Sequence, residues 1–379
     1  MLYGLFWFIY DPIGFLVTIL ASTLAYGAFV TLIGPRMVAG RPRSMAQLSL
    51  NMTITALLVI LGGLSLIYLT VYALQEWGGI AWSTSLSELL LVYLGVVVFF
   101  GLIQYALSPV IIRMYYKLRE PSTPREVRVV RIVEDLSRRA GMDPPRVWIA
   151  DVNIPNAFAF SSFASRNVAV TSPLLDMLSD EELSGVLGHE LGHLRHRDVQ
   201  VILVLSLIPV ALYYLGRGLM FLRSSDEENT GATLALGAAL VAFGVIFSFI
   251  VRHFNRLREY FADAHSAMLH LNHKPLQRAL AKIHLAFESM KTGLGAEAVY
   301  AATETPAKML LIYALVDPFI DWFYEPFRPW RLKGFADIDS VVEDLKRMEV
   351  SAMEELFASH PPVPKRLQFL DDLALRHFT

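Results

Sequence analysis

Long apolar stretches near residues 13–34, 52–75, 89–112, 199–222 and 231–251 alternate with polar connections along this chain. A helix needs about 20 mostly apolar residues to cross a bilayer, so each stretch predicts one span. The fourth is the weakest of these runs, because Pro209 and Arg217 interrupt it. In the polar connections the period changes. Arg125 to Arg139 has the spacing of an amphipathic helix, and Gly141 to Pro145 reads as a turn. Arg146–Ala150, Ala157–Phe163 and Asn167–Thr171 then predict three short strands of a small sheet. Ser179 followed by Asp180, Glu181 and Glu182 reads as a helix N-cap with acids in the first turn. Leu183, Val186, Leu187, Leu191 and Leu194 continue that helix at the proper spacing. Leu276 to Met290 predicts a further amphipathic helix. Leu310 to Phe327 is apolar and aromatic but carries Asp317, Asp321 and Glu325, which predicts an interfacial or buried helix rather than a sixth span.

Charge orients the runs. Arg36, Arg41 and Arg43 follow the first, Arg113, Lys117 and Arg119 the third, and Arg252, Arg256 and Arg258 the fifth, whereas Gln75 to Glu88 is acidic. Basic ends stay on the cytosolic side, so residues 36–43, 113–198 and 252–379 are expected there, in a multi-pass protein of the cell membrane. The chain thus divides into an N-terminal membrane region (1–119) and a first cytosolic segment (120–198). A transmembrane hairpin (199–251) and a second cytosolic segment (252–379) follow. No Lys or Arg precedes Arg36, so the first run lacks the basic leader of a cleavable signal and is expected to remain as an anchor. The fold class expected is an α-helical membrane protein with about five spans and a mostly helical cytosolic domain containing a small sheet.

Composition agrees. Apolar residues make up 54% of the 379 and charged ones 18%, too apolar for an ordinary soluble domain. A net charge of −2, with basic residues in short clusters beside apolar runs, gives no bulk electrostatic pull toward nucleic acid and argues against it as a partner. There is no cysteine, so any bound zinc must be held by imidazole and carboxylate.

The chemistry concentrates in one helix, where His189, Glu190 and His193 form H-E-x-x-H. Histidines four apart share a helix face and can grip one metal ion, with Glu190 beside its open side as general base. Catalytic zinc takes three protein ligands and leaves one position for water, so a third ligand is required. His196 lies about 10 Å along the helix axis from His189, too far for one helix to wrap the ion. The metzincin continuation also fails, because His196 and Val199 stand where it needs Gly and His. The predicted hairpin leaves the membrane surface after His193 and returns before Glu259. A carboxylate there would complete a His2Glu set, with Asp263 one turn on to hold an imidazole, although Glu259 equally suits a solvated Arg-Glu helix face.

Four motifs in this order around a membrane hairpin resemble the HtpX-type membrane zinc metalloproteases, relatives of the CAAX prenyl proteases. They are Pro155-Asn-Ala-Phe158, His189-Glu-Leu-Gly-His193, Arg258-Glu-Tyr-Phe-Ala-Asp263, and Ser359-His-Pro-Pro362 with Arg366. The resemblance runs from about residue 120 to 370. It implies Glu259 as third ligand, one zinc per chain, and cleavage of membrane or misfolded polypeptides at the cytosolic face. It also implies that Asn156 grips substrate backbone at a strand edge, and that His360, assisted by Arg366, stabilises the oxyanion. Similar proteins tend to carry Asn where this chain has His196. Two rival functions remain open: a prenyl-protein endopeptidase, and a metal-binding membrane scaffold or transporter without proteolysis.

Overall fold

A computed structural model describes residues 40–77, 86–221, 227–291, 337–352 and 360–377, with a few isolated positions elsewhere. The first apolar run and Leu310 to Phe327 lie essentially outside these residues. Four described helices are long and apolar enough to cross a membrane. They are α1 (Met45–Trp77), α2 (Leu86–Tyr115), α6 (Asp198–Phe221) and α7 (Glu227–His270). Leu57, Leu61, Phe99 and Phe100 on α1 and α2 are exposed, as suits side chains that meet lipid. Pro209 sits inside an unbroken α6, and Pro109 inside α2. Neighbouring helices make such prolines tolerable in spans. Pro209 therefore does not divide the fourth run.

The polar segments build a second body on the ends of these helices. Helix α3 (Pro124–Arg139) starts at a capping box between Thr123 and Glu126. Strands β1 (Arg146–Ala150), β2 (Ala157–Ser161) and β3 (Arg166–Thr171) follow, then the short α4 (Ser172–Met177) and α5 (Asp180–Arg195). After α7 come α8 (Lys274–Lys291), α9 (Ile338–Lys346) and α10 (Val363–His377). One apolar core joins Val133, Ile149 and Val170, which precede the α6–α7 hairpin, to Leu276, Leu345 and Leu370, which follow it.

The sheet order is β1-β3-β2, with β1 parallel and β2 antiparallel to β3. Strand β2 is thus an edge. Its Asn156 carbonyl accepts from Thr171 N at 3.0 Å, and Ala159 stands opposite Val168. Alternation along an antiparallel ladder then turns the N–H and C=O groups of Ala157, Ala159 and Ser161 outward, away from β3.

Candidate metal centre

Helix α5 carries the first two ligand candidates because its start is firmly fixed. Ser179 accepts from Glu182 N, and Glu182 reaches back to Ser179 N at 2.9 Å, a capping box at the end where acids also suit the helix dipole. Gly188 and Gly192 let α7 lie close against it. A Cβ on Gly192 would come within 3.2 Å of Ala262 Cα, and one on Gly188 within 3.0 Å of the Ser266 hydroxyl. That hydroxyl donates to Gly185 O at 2.6 Å and ties the two helices together. The contact sets Glu259 of α7 opposite His189 and His193.

His189, His193 and Glu259 each offer a ligand atom, and these atoms lie within 4.8 Å of one another. The two Nε2 atoms are 3.1 Å apart, and Glu259 oxygens stand 3.5 Å from His189 Nε2 and 3.4 Å from His193 Nε2. Each ring is held from behind. His189 Nδ1 meets Asp263 Oδ1 at 2.9 Å, and His193 Nδ1 meets Asp198 Oδ2 at 2.6 Å. An ionised carboxylate only accepts, so each Nδ1 donates to its carboxylate and each Nε2 is the ring atom left facing inward, where a metal would take it. This is the orientation that metal-bound histidines need.

The two orienting carboxylates are themselves clamped. Arg366 donates from Nε and Nη2 to the two oxygens of Asp263, at 2.8 and 2.5 Å, and Arg258 Nη2 lies 2.9 Å from Asp198. All four side chains are buried. Burial disfavours charge on His189, yet the hydrogen bonds it donates to Asp263 and Glu259 push its pKa up to about 10. Two imidazoles and a carboxylate converge on one point, and these are the donor atoms that catalytic zinc accepts. The residues therefore fit a catalytic zinc.

Glu190 lies beside this group, near enough to feel the charges of His189, His193 and Glu259. Burial raises its pKa, and the outward N–H of Ala159 on β2 donates to its carboxylate. The edge strand and the carboxylate thus face the same space. His360 places Nδ1 2.8 Å from Glu259 Oε2, and the carboxylate charge raises its pKa. Its side chain remains 48% exposed, open to anything bound over the centre. Asn156 immediately precedes β2, half-buried, with its N–H donating to Thr171 Oγ1 at 2.8 Å.

Of the residues singled out in the sequence, His189, Glu190, His193, Glu259, Asp263, His360 and Arg366 come together. Arg366 stands behind Asp263 rather than facing open space, with its Nη1 3.9 Å from Glu259. His196 caps the end of α5 and packs edge-on against Phe261 and His265, with ring centroids 4.5 and 5.3 Å away. It is not in the ligand group. Asp198 and Arg258 were not anticipated as support for His193. The one available signal was the pairing of an acid just past the motif with an Arg just before Glu259.

Comparison with known proteins follows the same lines. The model of peptidase family M48 matches residues 124–374. The "Protease HtpX homolog" of Aeropyrum pernix is 43% identical over 332 residues, covering 86% of this chain and 98% of that protein. The "Protease HtpX homolog" of Archaeoglobus fulgidus is 32% identical over 377 residues, 97% of this chain and 98% of its own length. The crystal structure of S. mikatae Ste24p aligns with a TM-score of 0.45 at 17% identity, over 86% of this chain and 66% of that one. With four membrane-length apolar helices among the described residues, a converging His-His-Glu group and a family match across both polar segments, the chain belongs to peptidase family M48, as an HtpX-type membrane protease.

Proposed function

We propose that the protein is a zinc endopeptidase that hydrolyses membrane or unfolded polypeptides at the cytosolic face of the cell membrane. The observation that carries this is the convergence of two inward Nε2 atoms and Glu259 within 4.8 Å, with the Glu190 carboxylate alongside. His189, His193 and Glu259 would hold the zinc, which when bound would lower the pKa of its water to about 7 and polarise the scissile carbonyl.

The chain's own groups do the rest. Glu190, its pKa raised by burial, takes the water's proton and passes it to the leaving amine. Asp263 and Asp198 hold the imidazoles in their ligating tautomer, and Arg366 and Arg258 hold those carboxylates in turn. Arg366 is therefore assigned to positioning Asp263. His360 is the group placed to donate to an oxyanion, and its raised pKa favours the donor form. A peptide pairs with the outward edge of β2 and so passes over Glu190, with Asn156 at the entrance of that edge. The basic ends of α2 and of the fifth run, at Arg113, Arg252, Arg256 and Arg258, support the cytosolic orientation.

The test is Glu190→Gln. It keeps all three ligands and removes the base, so zinc per chain should stay at wild-type level. Cleavage of an unfolded substrate should fall about 10²–10⁴-fold. Equal cleavage by both proteins, still blocked by chelator, would show that another base acts. Absence of cleavage by wild type would favour the scaffold.

A further inference from the structure

A cleft of about 700 Å³ opens at the far end of β2. Its wall begins with Ser161, the last residue of the strand, and includes Arg166, Arg195 and Arg197. Tyr105 of α2 and Phe163 close the membrane side, stacked edge-on with centroids 4.7 Å apart. No described residue of the lining is acidic. Arg166 is partly neutralised by Asp143 at 3.1 Å. Arg195 and Arg197 are exposed and make no ion pair among the described residues, which leaves two cations facing this space. Their placement is built into the backbone. Arg197 adopts φ 55 in the sharp turn between α5 and α6, and that turn sets both side chains at the end of the ligand helix.

We propose that this cleft selects acidic side chains on the N-terminal side of the scissile bond, an inference that rests on the protease reading above. A peptide adding to β2 is more stable antiparallel than parallel. The outward N–H of Ala159 and the Glu190 carboxylate mark the level of the bond to be cut. Moving two residues from Ala159 to Ser161 advances about 7 Å along the strand. An antiparallel substrate moves backward over the same distance, toward its own N-terminus. Its residues two to four positions before the scissile bond therefore enter the cleft. The aromatic wall at α2 keeps that stretch of the peptide close to the membrane surface.

Two partly exposed ion pairs together amount to about tenfold in binding or rate. The experiment uses full-length protein in phosphatidylcholine nanodiscs and matched fluorogenic peptides carrying Glu-Glu or Lys-Lys at those positions, or the same pairs after the scissile bond. The readout is the ratio of kcat/KM for the Glu to the Lys peptide, which cancels any general loss of activity. Wild type should prefer Glu by about tenfold before the bond, less at high salt. Arg195→Gln/Arg197→Gln should bring the ratio near one, and Arg195→Glu/Arg197→Glu should invert it. A wild-type ratio of one, a preference confined to positions after the bond, or a preference that survives charge reversal would each overturn the assignment. So would reversal that abolishes binding to phosphatidylglycerol vesicles while leaving the peptide ratio intact, since the cleft would then serve anionic lipid. If neutral peptides are cut but the ratio is flat, this proposal fails alone; if wild type cuts none, the protease reading fails with it.

Discussion

Asp263→Asn separates the two duties of the most deeply buried carboxylate at the centre. Asp263 is fully buried, takes a bidentate clamp from Arg366 and orients His189 at 2.9 Å. Removing its charge takes the ionised partner from a buried guanidinium, a change that costs about 3–5 kcal/mol in such sites and on the order of 10 °C in melting midpoint. It also replaces an acceptor-only carboxylate by an amide that can turn its NH2 toward His189, so the tautomer is no longer fixed, a change that typically weakens metal binding about 10–100-fold. The double variant Asp263→Asn/Arg366→Gln removes the unpaired cation, so it should recover much of the stability. It should not recover zinc affinity, because the imidazole is still unsupported. The assay is a double-mutant cycle read twice on the same preparations, by thermal unfolding of chelator-treated protein and by competition for zinc against a dye of known affinity. If Asp263→Asn binds zinc within about twofold of wild type, or the double variant restores zinc binding along with stability, Asp263 serves only to neutralise Arg366.

Three further outcomes are expected. Glu259→Ala should lose far more zinc affinity than His196→Ala, because His196 lies against Phe261 and His265 outside the ligand group; equal losses in metal titration would reject Glu259 as third ligand. Hydrogen bonds from Arg119, and from the Ser122 and Thr123 amides, hold Glu126 well below the usual carboxylate range. Its stabilisation is thus present above the unfolded value and lost as pH falls, so Glu126→Gln should be less stable than wild type at pH 7, with the gap in unfolding midpoint closing below about pH 4. In this cysteine-free chain, a cysteine replacing exposed Ser122 should resist an impermeant thiol reagent in intact cells and react after lysis; strong labelling from outside would invert the topology.

Much of the site was legible because its parts are local. Ser179 and Glu182 announce the start of α5, and one period of that helix pairs His189 with His193. The strands fall where their apolar runs predict, with β2 ending at Ser161 and β3 beginning at Arg166, since Ser162 and Ser165 close the turn between them. The support of His193 was hidden for a conformational reason. Asp198 is five residues along, off the ligand face of a continuous helix, and it reaches Nδ1 only because the chain turns through a left-handed residue at Arg197. Nothing in a 3.6-residue period reports such a turn. Glu259 could be suspected from topology but not chosen over a solvated Glu, because the choice depends on the close approach of α5 and α7 at Gly192. The end of the fifth run was likewise invisible as an end, since the helix continues.

That continuation has a mechanical consequence. Helix α7 is one rod of 44 residues, about 66 Å long, whose first half is membrane-length and whose second half holds Glu259. Glu259 is about 15 Å beyond Phe249 along this axis, and Asp263 about 21 Å. A tilt of 3° pivoting near Phe249 displaces groups at that range by about 1 Å, the error that separates a precise constellation from a loose one. Helices answer a thinner or thicker bilayer by tilting. The rod is therefore a lever through which membrane thickness can detune the spacing between a carboxylate and two imidazoles on another helix, making the surrounding lipid a term in metal affinity.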